Sequence, residues 1–289
     1  EYETNPTVFG GVTQNVPGNS NLLLTSNPSR GVALNTQRNS LTMEGNAGLA
    51  LADGVQFSLR SGGILVRPGS TSVITGGVIN QVAATTSALN VWTLGDLTIS
   101  SALAGGNGVG NGSPSLIEAG SGTLTIAPPT SAVNGLNGLG VNTLSGLFMI
   151  NQGTVKLGSL NAIQANNFFS AIGGTLDLNN LTIGNTLVFA GGAITGGTID
   201  ASKATFQSGT IGTKITGSVA VTKSTIGLLT LSNAANDYTG GTTISNGTLA
   251  LGATNAAPGV LTISGGTFDL TTFNSTPTSV TISGGTIAG

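Results

Sequence analysis

Residues 243–252 read TISNGTLALG, residues 262–270 read TISGGTFDL, and residues 281–289 read TISGGTIAG. The phrase returns at a fixed interval, its first threonine standing at Thr243, Thr262 and Thr281. A constant period of this length belongs to a small structural unit that repeats along an axis. The glycine of each Gly-Thr-apolar phrase serves as a marker, and working outward it falls at Gly153, Gly174, Gly192, Gly209, Gly227, Gly247, Gly266 and Gly285. The mean spacing of these markers is about 19 residues, a length typical of one turn of a repeat protein. Gly227 is followed by Leu228 where the others have threonine or alanine, and it is counted because it keeps the phase.

Two residues after each marker stand Val155, Leu176, Ile194, Ile211, Leu229, Leu249, Phe268 and Ile287, all apolar. Four after stand mostly leucines, and three before mostly isoleucine or phenylalanine. Alternation of this kind has the period of a strand with one buried face. The glycine allows the backbone to turn where the strand begins. A unit this short, with one or two strands, cannot bury its own apolar face, but a stack of such units can. The sequence therefore predicts an all-β fold, a right-handed parallel β-helix (β-solenoid) of about 19 residues per coil. Its hand is taken by analogy with known solenoids, and its coils are separated by about 4.8 Å. The eight apolar residues form its interior ladder. No segment has a convincing helical period. SLNAIQANNFFSAI (Ser159–Ile172) comes nearest, and is expected to decorate a coil as a loop or short helical turn.

Composition agrees. Of 289 residues 47 are glycine, 38 % are apolar and only 6 % are charged. Mean hydropathy is +0.31, so the chain can bury a core with little charged surface. Cysteine and histidine are absent, which removes disulfides, thiolate nucleophiles, Cys or His metal ligands and a histidine-activated serine. The net charge of −2 is scattered, so no basic patch offers itself to nucleic acid. No apolar run is long enough for a membrane helix, so no membrane insertion is expected of this segment. Three regions are expected: an N-terminal cap or pairing arm over residues 1–40, irregular solenoid coils with loop insertions over 41–142, and regular repeats over 143–289. SGGILV (61–66), TGGVIN (75–80), LGDLTIS (94–100) and GSGTLTI (120–126) read as coils of the middle region. The last phrase stops inside a unit at Gly289, so the repeats are expected to continue or to meet another subunit.

The segment LLTLSNAANDYTGGTTISNGTLALG (228–252) resembles the passenger-associated repeat of bacterial autotransporters, G-x-L-x-L-x-G-x-N-x-Y-x-G-x-T-x-I-x-x-G-x-L-x-x-G. Leu229, Leu231, Asn236, Tyr238, Gly240 or Gly241, Thr243, Ile244, Gly247 and Leu249 fill its main positions. The resemblance implies a secreted β-helical stalk at the bacterial cell surface or outside the cell. It implies no catalytic residue, since the family shares none.

A polysaccharide-cleaving site would need two or three carboxylates within about 5–10 Å. Asp177 and Asp269 share an outward position but lie five coils apart, and Glu118 is the only acid near the long loops of residues 105–142. Lys223 beside Ser224 reads as a plain surface lysine, and Asp237-Tyr238 as turn geometry plus tyrosine packing. Trp92, the only tryptophan, reads as packing. The outward threonines that follow the markers resemble the arrays of ice-binding solenoids, but that column is broken at Ala193 and Leu228. The expectation is a structural, non-enzymatic rod with no catalytic, cofactor or metal site: a stalk, adhesin rod or fibre subunit. Its partners would be copies of itself, more of its own chain, or host and matrix glycans or proteins. The alternative is a polysaccharide-binding or polysaccharide-cleaving β-helix.

Overall fold

The computed structural model describes residues 2–4, 21–25, 30–32, 36–81, 88–105, 115–129, 147–163, 168–184, 187–201 and 204–289. The chain divides into two compact units, residues 1–164 and 165–289. Each is a parallel β-solenoid, in which every rung lies over the one before it.

The N-terminal unit has three faces. One stacks residues 21–25, 40–44, 63–66, 88–93, 115–118 and 147–150. A second stacks 30–32, 48–51, 71–75, 96–100, 123–126 and 154–157. A third stacks 36–38, 56–59, 78–81 and 102–105. The long strands Gln56–Val66, Thr71–Gln81 and Asp96–Gly105 each round a corner and so serve two faces. The corner in the second of these is made by Gly76 at φ +68°, where a Cβ would stand 2.0 Å from the Leu51 carbonyl oxygen. Rungs already exist before residue 41, since Leu22 pairs with Leu41. The rest of the expected N-terminal arm lies largely outside the described residues, as do most of the loops of residues 105–142.

Rung length in this unit is not constant. One interior position steps from Leu22 to Leu41, then to Ile64, then to Val91, and each step uses more chain than the last. The step from Leu116 to Phe148 is longer still. The extra residues leave the ladder intact, because only the strand segments have to meet. Inside, files of Leu22, Leu41, Ile64 and Val91, and of Leu49, Ile74, Ile99, Ile126 and Leu157, are buried. Each such aliphatic side chain contributes about 1.5–3 kcal/mol by leaving water.

The C-terminal unit is more regular. Its marker face stacks residues 175–177, 193–195, 209–211, 228–231, 248–251, 267–269 and 286–288. A second face, here the TIS face, stacks 187–189, 204–206, 221–223, 242–244, 260–263 and 279–282. A short third face stacks, among the described residues, 182–183, 198–199 and 214–215. The helical candidate at 159–172 resolves into a single turn of 3-10 helix at Leu160–Ala162 and a strand at Phe168–Ala171.

Glycine is required at the markers by the stacking itself. Gly192, Gly247, Gly266 and Gly285 have φ between +65° and +79°, and a Cβ on Gly266 or Gly285 would meet the preceding marker's carbonyl oxygen at 2.4 Å. That carbonyl accepts the next rung's first ladder bond, as from Thr267 N to Gly247 O at 2.8 Å. A side chain at the marker would push the two rungs apart.

The interior file of the marker face holds Leu176, Ile194 and Ile211 in register. It then slips. Ile211 pairs with Leu231, and Leu229 lies opposite Gly209, displaced along the strand from the position its marker predicts. Leu229, Leu249, Phe268 and Ile287 continue as their own file. The cause is the bend at Thr225–Ile226–Gly227, which leaves Ile226 81 % exposed. Gly227 is accordingly a marker without a crowding carbonyl, since its Cβ would find nothing nearer than 3.5 Å.

Candidate functional site

The alternation places three chemically distinctive side chains in the interior. Glu118 ends the strand Ser115–Glu118, whose burial alternates so that Leu116 and Glu118 both point inward. Its partners in the file are Val91 on one rung and Ile150 on the other. Its side chain is fully buried. Oε1 accepts hydrogen bonds from the Thr93 hydroxyl at 2.7 Å, the Gly120 amide at 2.7 Å and the Thr93 amide at 3.3 Å. Oε2 has no partner. Burial raises the carboxyl's pKa above its usual range, and the bonds to Oε1 offset this in part. The carboxyl on which the polysaccharide-cleaving alternative depends thus faces the core and not the loops.

Lys223 takes the inward place that Ile244, Ile263 and Ile282 hold on the following rungs. It is fully buried, contrary to the surface lysine expected, because its strand alternates so that Val221 and Lys223 both point inward. Its ammonium donates to the Thr225 carbonyl and approaches the Thr225 hydroxyl at 3.4 Å, under the turn of Gly247. Burial lowers its pKa.

Asn236 is the third. The short face ends at Lys214–Ile215, and the next rung has no strand there. The Asn236 side chain takes over the strand's duty. Its Oδ1 accepts from the Ile215 amide at 2.8 Å, and its Nδ2 donates to the Ala256 carbonyl at 2.7 Å. One carboxamide therefore replaces a peptide group and carries the ladder across three rungs. Tyr238, two residues on, is also buried, with its hydroxyl 2.7 Å from the Thr242 hydroxyl. Burial pushes the phenol well above its ordinary pKa. Between them Asp237 points out and pairs with Lys214 at 2.8 Å, and hydrogen bonding to that lysine lowers its pKa.

Of the eight ladder residues, Val155, Leu176, Ile194, Ile211, Leu229 and Leu249 are completely enclosed, Phe268 is buried and Ile287 is 44 % exposed on the last rung. The marker glycines stand at or just before the first residue of their strands, and Gly247 packs over the Lys223 ammonium. Asp177 and Asp269 each accept a backbone amide two residues on, Asn179 at 2.8 Å and Thr271 at 2.7 Å, which shapes left-handed turns at Asn179 and Thr271. Trp92 is 42 % exposed on an outward position. Among the described residues, no three His, Cys, Asp or Glu side chains come together as a metal site. No helix among them is long and apolar enough to cross a membrane.

The fold and these bridging side chains define a repeat protein of the parallel β-solenoid class. Residues 221–251 match the passenger-associated-transport-repeat family, an autotransporter passenger repeat. The match covers the rung that contains Lys223, Asn236 and Tyr238. Comparison with curated proteins and with solved structures found no match.

Proposed function

We propose that this chain is a structural rod of an extracellular or cell-surface bacterial protein, serving as the stalk of an adhesin or a subunit of a fibre. What carries the reading is the passenger repeat built into a parallel solenoid, in which Asn236 extends the ladder where a strand is missing. The mechanism is mechanical. Parallel hydrogen bonds run along the axis, enclosed aliphatic files hold the rungs together, and neither a cofactor nor catalysis is called for. On this reading its partners are rungs of the same kind, from more of the same chain or another copy, and host or matrix glycans or proteins. The buried position of Glu118 speaks for the rod over the polysaccharide-cleaving alternative.

Surface exposure tests the location. Protease added to intact source cells should remove residues 165–289 from immunoblots while a cytoplasmic marker survives. Full protection in intact cells, with digestion only after lysis, would refute it. Turnover of an acidic or neutral glycan by the purified chain, abolished in Glu118→Gln, would refute the structural reading.

A further inference from the structure

On the TIS face, Thr205 pairs with Thr222, Thr222 with Thr243, Thr243 with Thr262, and Thr262 with Thr281. Five threonines therefore stand in one outward file with no break in register. This is not the column that follows the markers, which Ala193 interrupts. It lies on a different face, ahead of the marker in each rung. Two residues beyond four of these threonines come Ser224, Ser245, Ser264 and Ser283, all exposed. The amides of Ser245, Ser264 and Ser283 continue the ladder to the previous rung at 2.8–2.9 Å, which fixes the serine file parallel to the threonine file.

Three properties of this face bear on what it takes. It is periodic in two directions: rungs repeat at about 4.8 Å, and the two files lie two residues apart along each strand. Its described outward positions are neutral, for no charged side chain occupies one on these strands, and Lys223 turns its ammonium into the core. Its five threonine hydroxyls have no protein partner among the described residues, whereas Thr267 and Thr286 on the marker face are 3.1 Å apart and satisfy each other. Beneath it the interior positions Phe206, Lys223, Ile244 and Ile263 are buried.

Such a surface lacks what other ligands need. Among the described residues it has no aromatic plane for a sugar ring, no outward charge for an ion, and none of the aromatic or arginine anchors of protein interfaces. It does suit ordered water. Threonine methyls make the first water layer bond to itself, and the hydroxyls anchor that layer by donating and accepting. The rung separation is close to the repeat of oxygen positions along one axis of hexagonal ice. We propose that the Thr205–Thr281 file with its flanking serines is an ice-binding face. The ordered layer it holds merges with the lattice of a growing crystal, which attaches the rod to ice.

The test uses the 289-residue chain and a double variant, Thr243→Tyr/Thr262→Tyr, in which two outward phenols break the plane without entering the core. Thr230→Tyr, outward on the marker face, is the control, and Thr243→Lys/Thr262→Lys is a second disruption should the tyrosines affect folding. Circular dichroism checks that each variant keeps its strand content. Partition into a slowly grown ice hemisphere, with crystal shape in a nanolitre osmometer, is the readout. The chain and Thr230→Tyr should enter the ice and facet the crystals, and both double variants should be excluded like an ordinary soluble protein. Exclusion of the unaltered chain overturns the proposal, as does equal entry of folded double variants. Sedimentation or insoluble-glycan binding that changes in the double variants while ice partition does not would also overturn it, and would assign the face to self-contact or to a polysaccharide.

Discussion

Replacing Asn236 should open the solenoid at one rung. Asn236→Ala removes both bonds of the carboxamide, from Ile215 N at 2.8 Å and to Ala256 O at 2.7 Å. Asn236 itself is 7 % exposed, so little water reaches the groups left behind. An orphaned buried amide or carbonyl costs about 1–3 kcal/mol. Two of them set the expected loss at roughly 2–5 kcal/mol, allowing for some relaxation of the turn. Asn236→Leu separates bonding from packing. It restores volume but not hydrogen bonds, so it should be nearly as damaging as alanine. Because solenoid stability is a sum over neighbouring rungs, the loss should be local. Hydrogen exchange followed by mass spectrometry reads this directly. Peptides covering residues 212–218 and 253–258 should exchange faster by about one and a half to three and a half orders of magnitude, at about 1.4 kcal/mol per tenfold. Peptides from residues 41–81 should be unchanged. If Asn236→Leu matched or exceeded the unaltered chain in protection, the amide would be filling space, and the idea that it replaces a peptide group would fail.

Three further outcomes follow from the buried charges and the markers. Lys223→Met should stabilise the chain at neutral pH, because it removes the cost of burying an unpaired ammonium. The unaltered chain should also gain stability as pH rises from the lowered folded pKa toward the unfolded value of 10.5, because there the unfolded state holds the extra proton, and urea midpoints of Lys223→Met should lack that rise. Glu118 gives the opposite slope. Its folded carboxyl keeps a proton that the unfolded chain releases near 4.5, so stability should fall as pH climbs above that value, and Glu118→Gln should flatten the decline in the same urea titration. Gly192→Ala, at φ +77° with a Cβ 2.1 Å from the Gly174 carbonyl oxygen, should lower the thermal midpoint sharply, whereas Gly184→Ala, with nothing nearer than 3.6 Å, should leave it within experimental error.

The repeat is legible because a solenoid writes its architecture in one dimension. A marker that recurs at a nearly constant interval locates the turn, and alternation after it locates the inward side chains, as at Leu176, Ile194 and Ile211. Register is harder to read. At Gly227 the phrase recurs on schedule, yet Leu229 pairs outside the file its marker predicts, because Thr225–Ile226–Gly227 takes up length as a bend. Composition also misleads where a polar residue occupies an apolar slot. Lys223 reads as a surface residue because lysines usually are, and Glu118 as a loop acid because it lies among the long loops of residues 105–142. The signal is present in both: in SLIE, Leu116 and Glu118 share parity, and Lys223 follows Thr222 and precedes Ser224 as Ile263 stands between Thr262 and Ser264. Three of the file's threonines, Thr243, Thr262 and Thr281, head the repeated phrase, but the marker alignment does not join them to Thr222, since Lys223 and not Thr222 stands four before Gly227. Asn236 matches a repeat position in sequence but its role does not show there, since only the missing strand on the short face reveals what its amide replaces.

The variable rung length of the N-terminal unit has a bearing on how such a chain can change. The step from Leu22 to Leu41 uses far less chain than the step from Leu116 to Phe148, yet each climbs by the same single strand spacing. Altitude and circumference are uncoupled. A segment inserted at a corner swings out sideways at a fixed storey and leaves the floors above and below where they were. Such a scaffold can acquire, enlarge or discard outward appendages one at a time while its height stays set by the number of storeys alone.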